Sequence, residues 1–354
     1  LGWPRGQQAQ HVIDLQRVGV DDHPALLPGK FERQRRLAAG SRTRYQHRSP
    51  FRAFAHPFQA LLTHMTVLCL IANPADPAID SALVAAIQHE TRGEINWLHQ
   101  RVACEIESPS AADPVAAARA VIGNRPVDVA LVPAAGRRKQ VLVADMDSTM
   151  IEQECIDELA DAVGIKAEVA AITERAMNGE LDFEQALRTR VALIKGLERA
   201  AIEEVRRERI TLAPGGRALI HTMKAYGAYT SLVSGGFTFF ADYFAKRIGF
   251  DEAIANVLEF DGDRLTGTVA SPIVDKSTKL RRIEALAAER NLPMSATMAV
   301  GDGANDLDMI KAAGFGVALH AKPHVAAQAG IRIDHGDLTA LLYLQGYTDE
   351  DIVR

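Results

Sequence analysis

The run Val141-Leu142-Val143-Ala144 ends in Asp145-Met146-Asp147-Ser148-Thr149. No other stretch limits the fold as strongly. A short continuous apolar run fits a strand buried on both faces of a sheet. Two carboxylates one residue apart at its end do not fit a plain core, because burying even one without a partner is costly and like charges repel. Something cationic is required at that strand end, and the rest of the chain has to supply or imply it.

Composition narrows the remaining choices. The chain has 354 residues, 47% of them hydrophobic, and a formal net charge of −5. At about 100–200 residues per domain, two or three units are expected. Mild acidity and the lack of a basic patch with interleaved aromatics point away from a nucleic-acid partner. The apolar runs fall short of the roughly 18 residues a membrane span needs, so no membrane partner is expected. Cys69, Cys104 and Cys155 lack metal-ligand spacing and read as buried thiols in a reducing, cytoplasmic setting. Residues 1–64 stand apart, with nine arginines and one lysine against four acidic residues. A targeting segment and a disordered tail are two readings of this basic extension. The third, preferred here, makes Met65 the natural start.

From Met65 the pattern is orderly. Strands are expected at Thr66–Ile71, Glu94–His99, Arg101–Glu107 and Val127–Val132, with helices at Asp80–Thr91 and Asp113–Ile122. This β-α-β-β-α-β order predicts a small α+β domain over 65–134. It resembles the ACT-like modules that bind amino acids or pair subunits, which implies an amino-acid effector site or a homodimer. A second unit, over 140–150 and 214–354, alternates strands and helices: strands at Thr230–Ser234, Thr297–Gly301 and Phe315–Leu319, helices at Phe237–Ile248, Lys276–Arg290 and Asp306–Ala313. That alternation predicts an α/β, doubly wound parallel sheet with functional groups at the carboxyl ends of its strands. Asp261-Gly262 marks a hairpin over Leu258–Thr268. Residues 151–213 read as almost entirely helical and form a cap inserted after the first strand.

Three strand ends deliver polar groups: Asp145 to Thr149, Ser234-Gly235-Gly236, and Gly301-Asp302-Gly303-Ala304-Asn305-Asp306. Lys279 lies between the last two, near a helix start. Each piece alone has a plain reading as a helix cap, a tight turn or a solvated lysine. Gathered at one sheet edge they make a chemical site. Asp145 and Asp302, with a backbone carbonyl and water, suit Mg²⁺. Ser234, glycine N–H groups and Lys279 suit a phosphate. One carboxylate can attack phosphorus while the other moves protons.

The four motifs together resemble those of the haloacid-dehalogenase-type phosphatases, from about Val141 to the C-terminus. The resemblance implies a haloacid-dehalogenase-like core with Asp145 as nucleophile and Asp147 as acid/base. It puts Mg²⁺ on Asp145, the Asp147 carbonyl and Asp302, with Asp306 orienting that shell. Phosphate would be held by Ser234, Gly235, Lys279 and Asn305, with Lys279 preferred to Lys276. In the cap, Arg190 lies on the stripe Phe183, Leu187, Arg190, Ile194, Leu197, where either a substrate carboxylate or an internal salt bridge could satisfy it. Glu154 follows nine residues after Asp145. The resemblance assigns Glu154 and Arg190 to the amino and carboxylate groups of a substrate, and Met177 and Phe183 to an apolar lid. The implied reaction is hydrolysis of O-phospho-L-serine, a step of serine biosynthesis. Alternatives are another small phosphomonoester, phosphoryl transfer to an alcohol such as homoserine, or a non-catalytic amino-acid sensor. Ion-pump relatives have Thr at the place of Asp147, which argues against them.

Overall fold

The structure, a computed structural model, describes residues 65–178 and 180–354, apart from the side chain at position 177. The expectations for residues 1–64 and for the Met177 side chain fall outside those described residues.

The N-terminal part follows the expected order β1 (Thr66–Ala72), α1 (Ser81–Thr91), β2 (Glu94–His99), β3 (Ala103–Glu107), α2 (Pro114–Ile122) and β4 (Val127–Pro133). Its four strands are antiparallel neighbours in the order β2-β3-β1-β4, a split β-α-β arrangement. Both helices start where the sequence provides a cap. Asp80 accepts from the Leu83 amide at 2.7 Å, and Asp113 from the Ala116 amide at 2.9 Å with Pro114 in the first turn. Strand side chains alternate between faces. Leu68, Leu70, Cys104 and Ile106 pack under α1 and α2. Val67, Cys69, Ile71, Ala103 and Val132 join a different cluster, one that includes Leu338, Leu341 and Tyr343 near the C-terminus. Both faces of β1 are thus covered, which is why Val67–Ala72 is apolar throughout rather than alternating.

The second sheet is six-stranded and parallel, in the order β12-β11-β10-β5-β6-β7. Its strands are β5 (Val141–Ala144), β6 (Tyr229–Phe237), β7 (Glu252–Asn256), β10 (Thr297–Gly301), β11 (Phe315–Leu319) and β12 (Ile331–Ile333). The apolar run that ends in Asp145 is central, flanked by β10 and β6, and all four of its residues are buried. The two outer strands escaped sequence reading for a physical reason. Neither β7 nor β12 is covered on both faces along its length, so neither carries a continuous apolar run. The expected hairpin is β8 (Leu258–Asp261) with β9 (Arg264–Val269), turning through Gly262 at φ 56°.

Residues 151–213 form four helices: α3 (Cys155–Ala162), α4 (Lys166–Met177), α5 (Phe183–Leu193) and α6 (Arg199–Glu208). Gly164 and Gly196, both at positive φ, lie in two of the breaks. Where the chain enters and leaves this helical cap, Ile151 and Leu212 form an antiparallel bridge. After the cap come α7 (Gly216–Ala225), α8 (Thr238–Ile248), α9 (Lys276–Glu289), α10 (Leu307–Ala312), α11 (Pro323–Ala326) and α12 (Ala340–Leu344). Among the described residues, no helix is long and apolar enough to cross a membrane.

Between the two sheets lies a buried ion pair. Glu105 of β3, fully buried on the face that meets the second sheet, receives both terminal nitrogens of Arg137, one at 3.1 Å and the other closer. Removing one member of such a pair strands a charge in the core. Arg137→Ala is expected to lower unfolding free energy by about 3–5 kcal/mol in denaturant titration. The double replacement Glu105→Gln with Arg137→Met is expected to lose much less.

Candidate active site

β5, β6 and β10 end side by side, and their carboxyl ends bring Asp145, Asp147, Ser234, Asp302 and Asp306 together. Lys279 reaches them from α9. Its helix begins at Asp275, whose side chain caps the Thr278 amide at 2.9 Å, so Lys279 sits one turn in and faces the sheet. Its ammonium is 1% exposed and lies 2.7 Å from Asp145 Oδ1 and 2.6 Å from Asp306 Oδ1. Lys276, at the exposed first position, instead approaches Asp308 at 3.7 Å. Lys279, and not Lys276, is thus the lysine that meets Asp145 and Asp306.

The remaining contacts give each carboxylate a different environment. Asp145 Oδ1 also accepts from the Met146 amide at 2.7 Å. Asp147 accepts from the Cys155 amide at 2.8 Å and from Ser234 Oγ at 3.1 Å, while Ser234 Oγ receives the Gly236 amide at 2.8 Å. Burial, reinforced by the Asp145 charge, pushes the Asp147 carboxyl above the ordinary aspartate range. Asp306 Oδ2 takes the amides of Asp302 and Gly303 at 3.2 and 3.1 Å. Burial first, then Asp145, raise Asp306 to about 7 against the pull of Lys279. Asp302 is raised well above the usual range, by burial and then by Glu154, Asp306 and Asp145. Burial opposes the charge on Lys279, but Asp145 and Asp306 overcome it and raise the ammonium.

Two glycines are required by close approach. A Cβ on Gly301 would lie 2.3 Å from the Asp306 carboxyl carbon, and one on Gly236 would lie 2.6 Å from Asp147 Oδ2. Ser148 adopts φ 53°, a left-handed conformation uncommon for a serine, and its hydroxyl donates to Glu154 at 2.8 Å.

A cation fits this donor set. Carboxylate oxygens of Asp145, Asp302 and Asp306 lie within 4.8 Å of one another, all buried, and Lys279 bonds only to Asp145 and Asp306 of the three. Asp302 receives a hydroxyl from Thr149 at 3.3 Å, which does not neutralise its charge. Buried, crowded oxygen ligands of this kind suit a hard cation.

Beside these groups lies a small cavity between cap and sheet. Asp145, Asp147, Ser234, Gly235 and Asn305 line the sheet side; Glu154, Phe183, Leu187 and Arg190 line the cap side. Phe183 packs on Gly235 so closely that a Cβ there would meet its ring at 2.6 Å. The Asn305 side-chain oxygen is buried without a hydrogen-bond partner. Arg190 is 3% exposed; it donates to Thr173 Oγ1 at 3.0 Å and to the Ala186 carbonyl at 3.2 Å. Among the described residues no carboxylate lies within ion-pair distance of it, so the internal salt bridge left open by the sequence is not formed. Burial lowers its guanidinium below the ordinary value, against the pull of Glu154 and Asp157. Burial and then Asp147 push Glu154 up to about 8.

Sequence reasoning named Thr149 among the polar groups of its strand end without giving it a role, and it passed over Thr173 and Asn256. Thr149 bonds Asp302, and Thr173 joins Arg190 to Asp157, which it meets at 2.7 Å. Asn256 clamps the Gly235 carbonyl at 2.8 Å and the Val274 amide at 2.7 Å. Asn256 ends β7, the edge strand whose sequence gives no apolar run.

A doubly wound sheet bearing Asp-x-Asp, Ser-Gly-Gly, a buried lysine and Gly-Asp-Gly at neighbouring strand ends defines a haloacid dehalogenase-like hydrolase, and residues 142–311 match the model of that family. Over 228 residues the sequence is 46% identical to phosphoserine phosphatase of Streptomyces coelicolor, covering 64% of this chain but 55% of that one. Over 225 residues it is 44% identical to phosphoserine phosphatase of Haemophilus influenzae, covering 63% and 71%. It is similar in structure to a substrate-bound phosphoserine phosphatase, with TM-score 0.56 and 37% identity over 60% of this chain and 99% of the other. The chain belongs to the phosphoserine phosphatase family.

Proposed function

We propose that the chain hydrolyses O-phospho-L-serine to L-serine and phosphate, with Mg²⁺ as cofactor, through an aspartyl-phosphate on Asp145. The observation that carries this reading is the cavity itself. Two carboxylates and a serine line one side, and a buried arginine that meets no carboxylate among the described residues lines the other, across a small cavity.

In this reading an Asp145 oxygen attacks phosphorus and the ester P–O bond breaks. Asp147 gives its proton to the departing serine oxygen; burial and the neighbouring Asp145 favour its protonated form. Asp147 then takes a proton from the water that attacks phosphorus, and the P–O bond to Asp145 breaks. Ser234, Lys279, Asn305 and the Gly235 amide hold the phosphoryl oxygens. Asp145, Asp302 and the Asp147 carbonyl would hold Mg²⁺, which when bound neutralises charge on the phosphoryl group. Asp306 orients Lys279 and the Asp302 backbone rather than binding metal, since both of its oxygens are already engaged. Arg190 takes the substrate carboxylate and Glu154 its ammonium, which relieves the crowding that raises Glu154. Phe183 closes the apolar side, with Met177 assigned beside it by family resemblance.

We infer that residues 65–134 are an ACT-like module that binds an amino acid or pairs two copies of the chain. Support comes from the β-α-β-β-α-β order and from β2, whose outer edge is unpaired among the described residues. The buried, unbridged cysteines suit the cytoplasm.

Three outcomes are expected. Phosphate release from L-phosphoserine needs Mg²⁺ and stops with chelator. Asp145→Asn forms no acid-stable phosphoenzyme and loses about 10⁴-fold or more in kcat; persistence of either would refute the nucleophile. Arg190→Ala raises KM for phosphoserine about 10- to 100-fold while leaving phosphoethanolamine nearly unchanged, and equal losses on both would remove Arg190 from carboxylate recognition. Sedimentation of the intact chain with and without L-serine tests the module: a monomer blind to serine would contradict both of its assigned roles.

A further inference from the structure

The loop Asp334-His335-Gly336, after the edge strand β12, is gripped by the N-terminal module rather than by its own sheet. Asp128 of β4, 5% exposed, accepts three consecutive amides: Asp334 at 2.8 Å, His335 at 3.1 Å and Gly336 at 2.7 Å. From the other side Asn73, just past β1, donates to the His335 carbonyl at 3.0 Å. A carboxylate that fills a concavity of backbone amides fixes that backbone tightly.

The grip continues toward the active site. The Gly336 carbonyl receives the His320 ring Nε2 at 2.8 Å, and the His320 amide donates to the Ile333 carbonyl at 2.8 Å. Held at both ends, His320 adopts φ 46°, in the left-handed region where a non-glycine residue needs support from its surroundings. Two residues on, the Lys322 amide donates to the Asp302 carbonyl at 3.0 Å. Asp302 is therefore fixed at three points: its amide on Asp306, its carbonyl on Lys322 and its carboxylate on Thr149. Of these, the Lys322 contact is the one that leads back to the N-terminal module.

We propose that Asp128 is a positioning residue for Asp302: by clamping residues 334–336 it fixes His320 and the turn to Lys322, and so aims the carboxylate that would hold the metal. The inference rests on the metal reading above. It makes the N-terminal module part of the catalytic apparatus through contacts that need neither an effector nor a second subunit.

The test is Mg²⁺ binding by calorimetry on the full chain, which requires no turnover. Asp128→Ala and His320→Ala are each expected to bind Mg²⁺ about five- to tenfold more weakly, and the double variant no more weakly than the poorer single. Asp128→Asn, which keeps one accepting oxygen, should fall between wild type and Asp128→Ala. At saturating Mg²⁺ the KM for phosphoserine should stay at the wild-type value, a split that general loosening of the fold would not produce. A folded Asp128→Ala chain with wild-type Mg²⁺ affinity overturns the inference, as does a double variant whose loss is the product of the two singles. Should Asp128→Ala fail to fold, Asn73→Ala removes the other half of the clamp without stranding a charge, and it must weaken Mg²⁺ in the same direction; no shift there also overturns it. A wild-type chain that takes up no Mg²⁺ sinks the metal reading together with this inference, whereas unaltered binding in the variants sinks this inference alone.

Discussion

The Lys279 ammonium, bonded at once to Asp145 and Asp306, makes the carboxyl ends of β5 and β10 compatible with each other. Asp145, Asp147, Asp302 and Asp306 converge there, and Glu154 joins them from the cap. Lys279 cannot balance five carboxylates. It touches two of them, and the rise of Asp147, Glu154, Asp302 and Asp306 above their ordinary ranges records the crowding. That crowding is the physical reason the site suits a cation. The lysine's position depends in turn on an ordinary helix start at Asp275, and Asp306 can reach it only because residue 301 has no side chain.

The central strands and the chemical groups were legible in the sequence because a strand buried on both faces must be apolar and must end where its polar groups begin. Val141–Ala144 and Thr297–Gly301 follow that rule, whereas β6 runs on past Ser234 to Phe237. Legibility stopped where burial was partial. Asp251 to Asn256 mixes acidic and small residues along an edge strand, so neither β7 nor the clamping role of Asn256 could be read. Arg190 shows a different limit. Its place on an apolar stripe was visible, but spacing could not say whether Asp157 would meet it directly; Thr173, from a neighbouring helix, stands between them. The contacts of Asp128 with residues 334–336 join positions about two hundred apart, and no periodicity encodes such a meeting.

The N-terminal α+β layer is not an appendage. One face of its sheet is completed by its own helices and the other by Leu338, Leu341 and Tyr343, with the Glu105–Arg137 pair sealed between. Apolar area on both faces is removed from water only when the two parts are together. Whatever else the layer does, it is part of the hydrophobic core on which the catalytic sheet rests.

The paired connectors of the cap carry a kinematic consequence. Ile151 and Leu212 bridge each other, and the Glu152 and Ala213 amides reach across to the Thr211 and Met150 carbonyls on either side. Two strands so tied cannot slide apart independently. The ribbon so formed anchors the four helices to the sheet only six residues after Asp145, while the Phe183 ring meets Gly235 from the cap side. Cap and carboxylate pair are thus coupled through a few residues of tied chain.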